Sequence, residues 1–210
     1  MRKIVLVVLI LLATTVGRAA SLVNGRIYLK TGEIVECSDK DRIELPKGFR
    51  NVKLFRNAFY KGKYKEVYKI ETIDSIVCWN SYAPEYTRKF IPSKPAGWLW
   101  VYFETPHICV GIYSKKGYGI NSNGGIDIWV VQRDLSRSSS AYYLRKSGEE
   151  EFCDVGSASR NVKNGFRRRI AEYISDDPEL AEKILKSKTG RSKTILMLEE
   201  YNPGATNADE

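Results

Sequence analysis

"GWLWVYFETPHICVGIYS" (Gly97–Ser114) decides the fold class. Two short β-like runs, Trp98–Phe103 and Ile108–Tyr113, flank a Thr105-Pro106 turn. Two more follow at Ile126–Gln132 and Ala141–Arg145, punctuated at Lys116-Gly117, Asn123-Gly124-Gly125 and Ser147-Gly148. This is the pattern of an antiparallel meander with an aromatic-rich core. Trp98, Trp100 and Trp129 could stack on a sugar, but tryptophans in such runs more often fill the core. "INSNGGIDI" (Ile120–Ile128) has the composition of a flexible tip. Asp127 alone is too little carboxylate for a calcium loop.

Upstream, residues 81–97 hold three of the seven prolines and read as a linker. The stretch before it, residues 20–80, reads as a separate β module. Asn24-Gly25 and Thr31-Gly32 are turn signals around short β runs. In "EVYKIETIDSIVCW" (Glu66–Trp79), apolar residues recur every three positions, nearer a helical period. The β-branched content favours two short strands with a kink at Glu71-Thr72.

Downstream, "NGFRRRIAEYISDDPELAEKIL" (Asn164–Leu185) is helical. Phe166, Ile170, Tyr173 and Ile174 share one face, so Arg167–Arg169 fall largely off it. Asp176 or Asp177 can cap a second helix, with Pro178 at its first position and Glu179 favouring its dipole. Leu180, Ile184 and Leu185 form its stripe, Gly190 its C-cap, and Ser192 the cap of a last short helix. The expected class is α+β and mostly antiparallel β: a small barrel or open sheet, then a β meander over residues 98–160, then a C-terminal helical hairpin over residues 161–202. Residues 203–210 are expected to be a flexible tail.

The N-terminus places the chain. "MRKIVLVVLILLATTVGRAA" has a basic start, an apolar run shorter than the roughly 20 residues of a membrane span, and small residues at a plausible cut. Residues 1–19 are therefore expected to be a signal peptide, and the mature chain a soluble periplasmic or extracellular protein. The full chain carries 34 Lys+Arg against 25 Asp+Glu. A basic exported protein meets lipid headgroups, lipopolysaccharide and acidic glycans, and seldom nucleic acid.

The most basic stretch runs from Lys40 to Lys69, with ten Lys/Arg against Asp41, Glu44 and Glu66. Phe49, Phe55, Phe59, Tyr60, Tyr64 and Tyr68 are interleaved. "YKGKY" is a Gly-centred turn, so its flanks should pair as a hairpin. Lys53, Arg56, Tyr60, Lys61, Lys63, Tyr64 and Lys65 are the candidate binding residues, for an anionic envelope component or another envelope protein. The same mixture also arises on a solvated hairpin whose lysines discourage edge aggregation.

Cys37, Cys78, Cys109 and Cys153 make an even count, which in an oxidising compartment allows three pairings, Cys37–Cys78 among them. Four buried thiols are the alternative. No C-x-x-C supports a zinc or redox site, and no cofactor is expected. Neither G-x-S-x-G, H-E-x-x-H nor a P-loop occurs. The lone His107 lies two residues from Cys109, and no third group supports a catalytic pair. Glu104 and Glu149–Glu151 could supply carboxylates for hydrolysis of envelope glycans, the alternative to a non-enzymatic binding or structural role.

"IYLKTGEIVEC" (Ile27–Cys37) and "YKIETIDSIVCW" (Tyr68–Trp79) resemble the "YLKNG-x-I…EI-x-x-I" frame of β modules in exported Bacteroidetes proteins. "YYLRKSGEEEF" (Tyr142–Phe152), "YISDDPELAEKI" (Tyr173–Ile184) and "ILMLEEYN" (Ile195–Asn202) are similar to a C-terminal unit of the same proteins. Asp177 stands where those proteins often have Cys, and the basic insert around residues 47–65 exceeds their frame. The resemblance implies an envelope location and no chemistry.

Overall fold

The computed structural model describes residues 22–115, 117–128, 140–157 and 164–204. The expected signal peptide, Trp129 and most of the expected tail lie outside the described residues.

The core is an open antiparallel sheet of eleven strands. In chain order these are β1 (Leu22–Leu29), β2 (Ile34–Glu36), β3 (Arg42–Glu44), β4 (Val52–Arg56), β5 (Tyr64–Tyr68), β6 (Ile73–Asn80), β7 (Ala83–Ser93), β8 (Gly97–Glu104) and β9 (Ile108–Ser114), then β12 (Ser140–Lys146) and β13 (Cys153–Ser157). Strands β10 (Tyr118–Ile120) and β11 (Ile126–Ile128) form a separate ribbon. The path across the sheet is β13-β12-β9-β8-β7-β6-β1-β3-β4-β5. Strand β1 is shared: Leu22 and Val23 pair with β3, and Arg26–Tyr28 pair with β2. The expected kink at Glu71-Thr72 is a 3-10 turn, Ile70–Thr72, between β5 and β6.

The expected linker is strand. Residues 83–93 form β7, the longest strand, which joins the two β regions into one sheet. Its prolines sit where the ladder lapses. Pro84 lies in the irregular stretch between the Asn80–Ala83 and Cys78–Arg88 pairs. Pro92 lies past the last β6 pair, Ile76–Phe90, and opposite Trp98, whose N–H goes to Gly48 O at 2.8 Å instead of to β7. Neither position asks proline for the donor it lacks.

One face carries two cores. Ile27, Ile43 and Leu54 pack with Ile76, Phe90 and Trp98, so β3 and β4 curl back over β6–β8. Gly97 makes the closure possible. Its φ is +75°, and a Cβ there would lie 2.1 Å from Gly48 O. Trp98 is fully buried and its Nε1 donates to Arg50 O at 2.8 Å, so it is core and not a sugar platform. The Tyr118 hydroxyl fills an opening in the β8–β9 ladder. It accepts from Trp100 N (3.2 Å) and faces Ile112 O (2.8 Å) and Trp98 O (3.1 Å). The Asn121–Gly125 loop is not free either, since Asn80 Nδ2 donates to Gly124 O and Arg88 Nε to Ile126 O.

The second core joins Ile108, Val110, Ile112 and Leu144 to helices α1 (Asn164–Tyr173), α2 (Pro178–Lys186) and α3 (Arg191–Leu196). Phe166, Ile170 and Ile174 are buried as the spacing predicts. Asp177 is the cap of α2, accepting from Leu180 N at 3.0 Å, and it also accepts from Asn202 N, which ties down the chain end. Asp176 instead takes Lys146 Nζ and Tyr201 Oη, both at 2.8 Å. Three local expectations change. Leu185 is exposed and Ala181 takes its place in the stripe. Gly190 is the N-cap of α3 and not the C-cap of α2. Ser192 lies inside α3 and meets the Tyr142 hydroxyl at 3.2 Å. Arg167 and Arg169 hold the helix in place through Thr189 O and Val155 O.

The Cys37–Cys78 disulfide is absent, and all four cysteines are free. Cys37 and Cys78 flank Gly25 on opposite edges of β1: Cys37 N donates to Gly25 O, and Cys78 pairs with Gly25 across β6. Two strand spacings, about 10 Å, exceed the reach of a disulfide. The space above Gly25 is filled by Ile43 Cδ1, 2.9 Å from where a Cβ would stand. No described helix is long and apolar enough to cross a membrane.

Candidate functional site

The expected contact residues divide into three groups. Lys53 pairs with Glu44 at 2.8 Å on the outer face of β4. Arg56 is structural. Its guanidinium bridges Asp41 (2.9 Å) and Glu66 (3.0 Å) and also donates to Glu36 O. Neither is a free cation: Arg56 is held within the fold, and Lys53 is paired with Glu44 at the surface. Register then separates the rest: Arg56 pairs with Tyr64 and Phe55 with Lys65, so Tyr64 and Lys65 face opposite sides of the hairpin. What remains together is the tip: Tyr60, Lys61, Lys63, with Tyr64 and Lys65 at its root.

Asp41 builds that tip. It is 4% exposed, and its carboxylate accepts from Ser38 N and Asn57 N, both at 3.0 Å, as well as from Arg56. Burial alone would raise its pKa. The Arg56 guanidinium and the two backbone donors outweigh burial and hold it at about 2. Glu66 is held low chiefly by its hydrogen bond from Arg56. It also accepts from the Tyr68 hydroxyl at 2.6 Å, and burial with that bond pushes Tyr68 up to about 12. The network ties the 38–42 loop to the 57–60 turn, where Asn57 adopts φ +50° and Ala58 N donates to Lys40 O.

On this base stand Phe59, Tyr60 and Tyr64, 68%, 58% and 57% exposed. Arg42 lies 5.3 Å from the Phe59 ring centroid and Lys40 5.7 Å from that of Tyr60. Lys61, Lys63 and Lys65 are exposed and make no ion pair among the described residues. In the sequence Lys40 and Arg42 are two of the ten cations of the basic stretch, with nothing local to place them at the tip. Asp39-Lys40-Asp41-Arg42 is a charged loop, but only the Asp41 contacts bring it to the tip.

A second place is a shallow cleft of about 330 Å³ between the β8–β9 and β12–β13 turns. Glu104, Glu149, Cys109, Arg145 and Lys146 are among its lining residues. Two of the carboxylates considered for hydrolysis therefore do share one cleft. Each is already engaged. Glu104 pairs with Lys89 at 2.8 Å, and Glu149 accepts from Lys146 N and from the Tyr173 hydroxyl. Burial pushes the Cys109 thiol up to about 11, which is wrong for a nucleophile. His107 does not line the cleft; its carbonyl accepts from Ser147 N. Among the described residues no group of three metal-ligating side chains converges.

Compared with protein families, with curated proteins and with solved structures, the chain matches none.

Proposed function

We propose that the chain is an exported, non-enzymatic binding module that contacts an anionic component of the cell envelope through the β4–β5 tip. One observation carries this reading: Lys61, Lys63 and Lys65, exposed and without an ion pair among the described residues, stand beside three exposed aromatic rings, on a loop fixed by a buried carboxylate. The signal-like N-terminus and the resemblance to envelope modules support the location. The test is retention of the mature protein on immobilised lipopolysaccharide or anionic vesicles across a salt series. Retention should fall as the Debye length contracts from about 10 Å at 0.1 M to about 3 Å at 1 M. Salt-independent retention, or none, sinks the proposal.

The glycan-hydrolase reading keeps one supporting observation, the shared cleft of Glu104 and Glu149. It is the weaker, because both carboxylates are already bound by donors. Release of reducing ends from envelope glycans, abolished by Glu149→Gln, would reverse the order.

A further inference from the structure

We infer that the occupant of the β4–β5 tip is the headgroup zone of an anionic lipid bilayer, with Phe59 and Tyr60 entering it and Lys61, Lys63 and Lys65 meeting lipid phosphates. This rests on the anion-binding reading above and names the partner. Three features of the tip select a bilayer over a soluble anion.

The first is shape. The described cleft lies at the β8–β9 and β12–β13 turns, and none of its lining residues belongs to the tip. Lys61 and Lys63 stand either side of Gly62 (φ +82°) in the turn, and Lys65 leaves by the opposite face from Tyr64. Exposed on a turn and on the strand that leaves it, these cations suit a plane carrying many phosphates.

The second is the aromatic set. Phe59 has no polar atom and is 68% exposed. A soluble polyanion offers that ring nothing, whereas the bilayer interface accepts aromatic side chains and buries their apolar bodies. Tyr60 beside it, with a hydroxyl for the wet side, suits the same zone.

The third is charge and rigidity together. Residues 38–42 and 56–66 carry six cations and three acids. Asp41 and Glu66 are consumed by Arg56, which leaves Lys40, Arg42, Lys61, Lys63 and Lys65 against Asp39. Lys40 already lies over the Tyr60 ring and reaches the headgroups as that ring enters, while Arg42, over Phe59, is held by Asp39 O and Asp41 O and adds its charge in place. The Asp41 network holds both loops before contact, so little ordering is needed on binding.

The experiment uses the mature chain, vesicles of phosphatidylcholine with or without phosphatidylglycerol, and soluble polyphosphate. Wild type should partition onto the phosphatidylglycerol vesicles, losing about five-fold per lysine neutralised. The double variant Phe59→Ser/Tyr60→Ser keeps every charge and replaces only exposed rings, so its melting curve serves as the folding control. Its vesicle partition should fall about ten-fold while polyphosphate binding stays unchanged. Vesicle binding indifferent to the two rings overturns the inference. So does binding to polyphosphate without binding to vesicles, which leaves the anion-binding reading standing. Binding to neither overturns both.

Discussion

Replacing Asp41 by Asn keeps the shape of the side chain and removes the charge on which the tip is built. Asp41 is buried and takes three donors, from Arg56, Ser38 and Asn57. Its pKa of about 2, against an unperturbed 3.8, corresponds to roughly 2 kcal/mol of folding free energy at neutral pH. The amide also points a donor at a donor, but Arg56 keeps Glu66, so the total loss should be about 2–3 kcal/mol. At a urea slope of about 2 kcal/mol/M, the unfolding midpoint should drop by roughly 1–1.5 M. The sign of the pH dependence follows from the depressed pKa. The contribution is complete above the unfolded value and is lost as pH falls toward the folded one. About half should be gone by pH 3. Paired urea titrations of wild type and Asp41→Asn at pH 7 and pH 3 therefore give a gap that shrinks in acid. Carboxylates outside the network titrate in both proteins and cancel; Glu66, which shares Arg56 and feels the Asp41 charge, is the one neighbour whose titration moves with the substitution. A gap below about 0.5 kcal/mol at pH 7, or one of equal size at both pH values, would refute the account of the network.

Tyr118→Phe should cost about 2 kcal/mol in urea unfolding, because Trp100 N–H and Ile112 C=O lose their shared hydroxyl; a neutral change would mean that the strands close without it. Gly97→Ala should be the more damaging, with a melting temperature lowered by many degrees, since it combines φ +75° with a contact of 2.1 Å to backbone; a normal melting curve would contradict the closure of β8 on the 47–50 loop. Thiol titration under non-reducing conditions should find one fast thiol, the exposed Cys153, a slower one, the half-buried Cys37, and two more only on unfolding; fewer than four in denaturant would restore a disulfide.

Local chemistry made much of the fold legible. The Asp-Asp-Pro-Glu restart, the Phe166/Ile170/Ile174 stripe and the Glu71-Thr72 break are decided within a few residues, and each formed as read. Strand β7 was not legible, because Pro84 and Pro92 announce a break locally. What permits them is where the partners' ladders lapse, which is known only once β6, β8 and the 47–50 loop are placed. The contact set failed in the same way at Arg56. Sequence shows a cation in a basic run. It does not show that Asp41, fifteen residues back, and Glu66, ten ahead, arrive at one guanidinium. The Cys37–Cys78 pairing is not formed, and an even count says nothing of β1, which runs between the two residues at Gly25.

The central claim is that a local surface, and not net charge, makes the contact. The direct measurement compares two triple variants of equal charge on phosphatidylglycerol vesicles. One carries Lys61→Glu, Lys63→Glu and Lys65→Glu. The other carries Lys115→Glu, Lys188→Glu and Lys193→Glu, all exposed and away from the tip. The account predicts that the tip variant loses vesicle binding by at least about a hundred-fold while the distant variant stays within a few-fold of wild type. Equal losses in both would show a diffuse electrostatic attraction and contradict it.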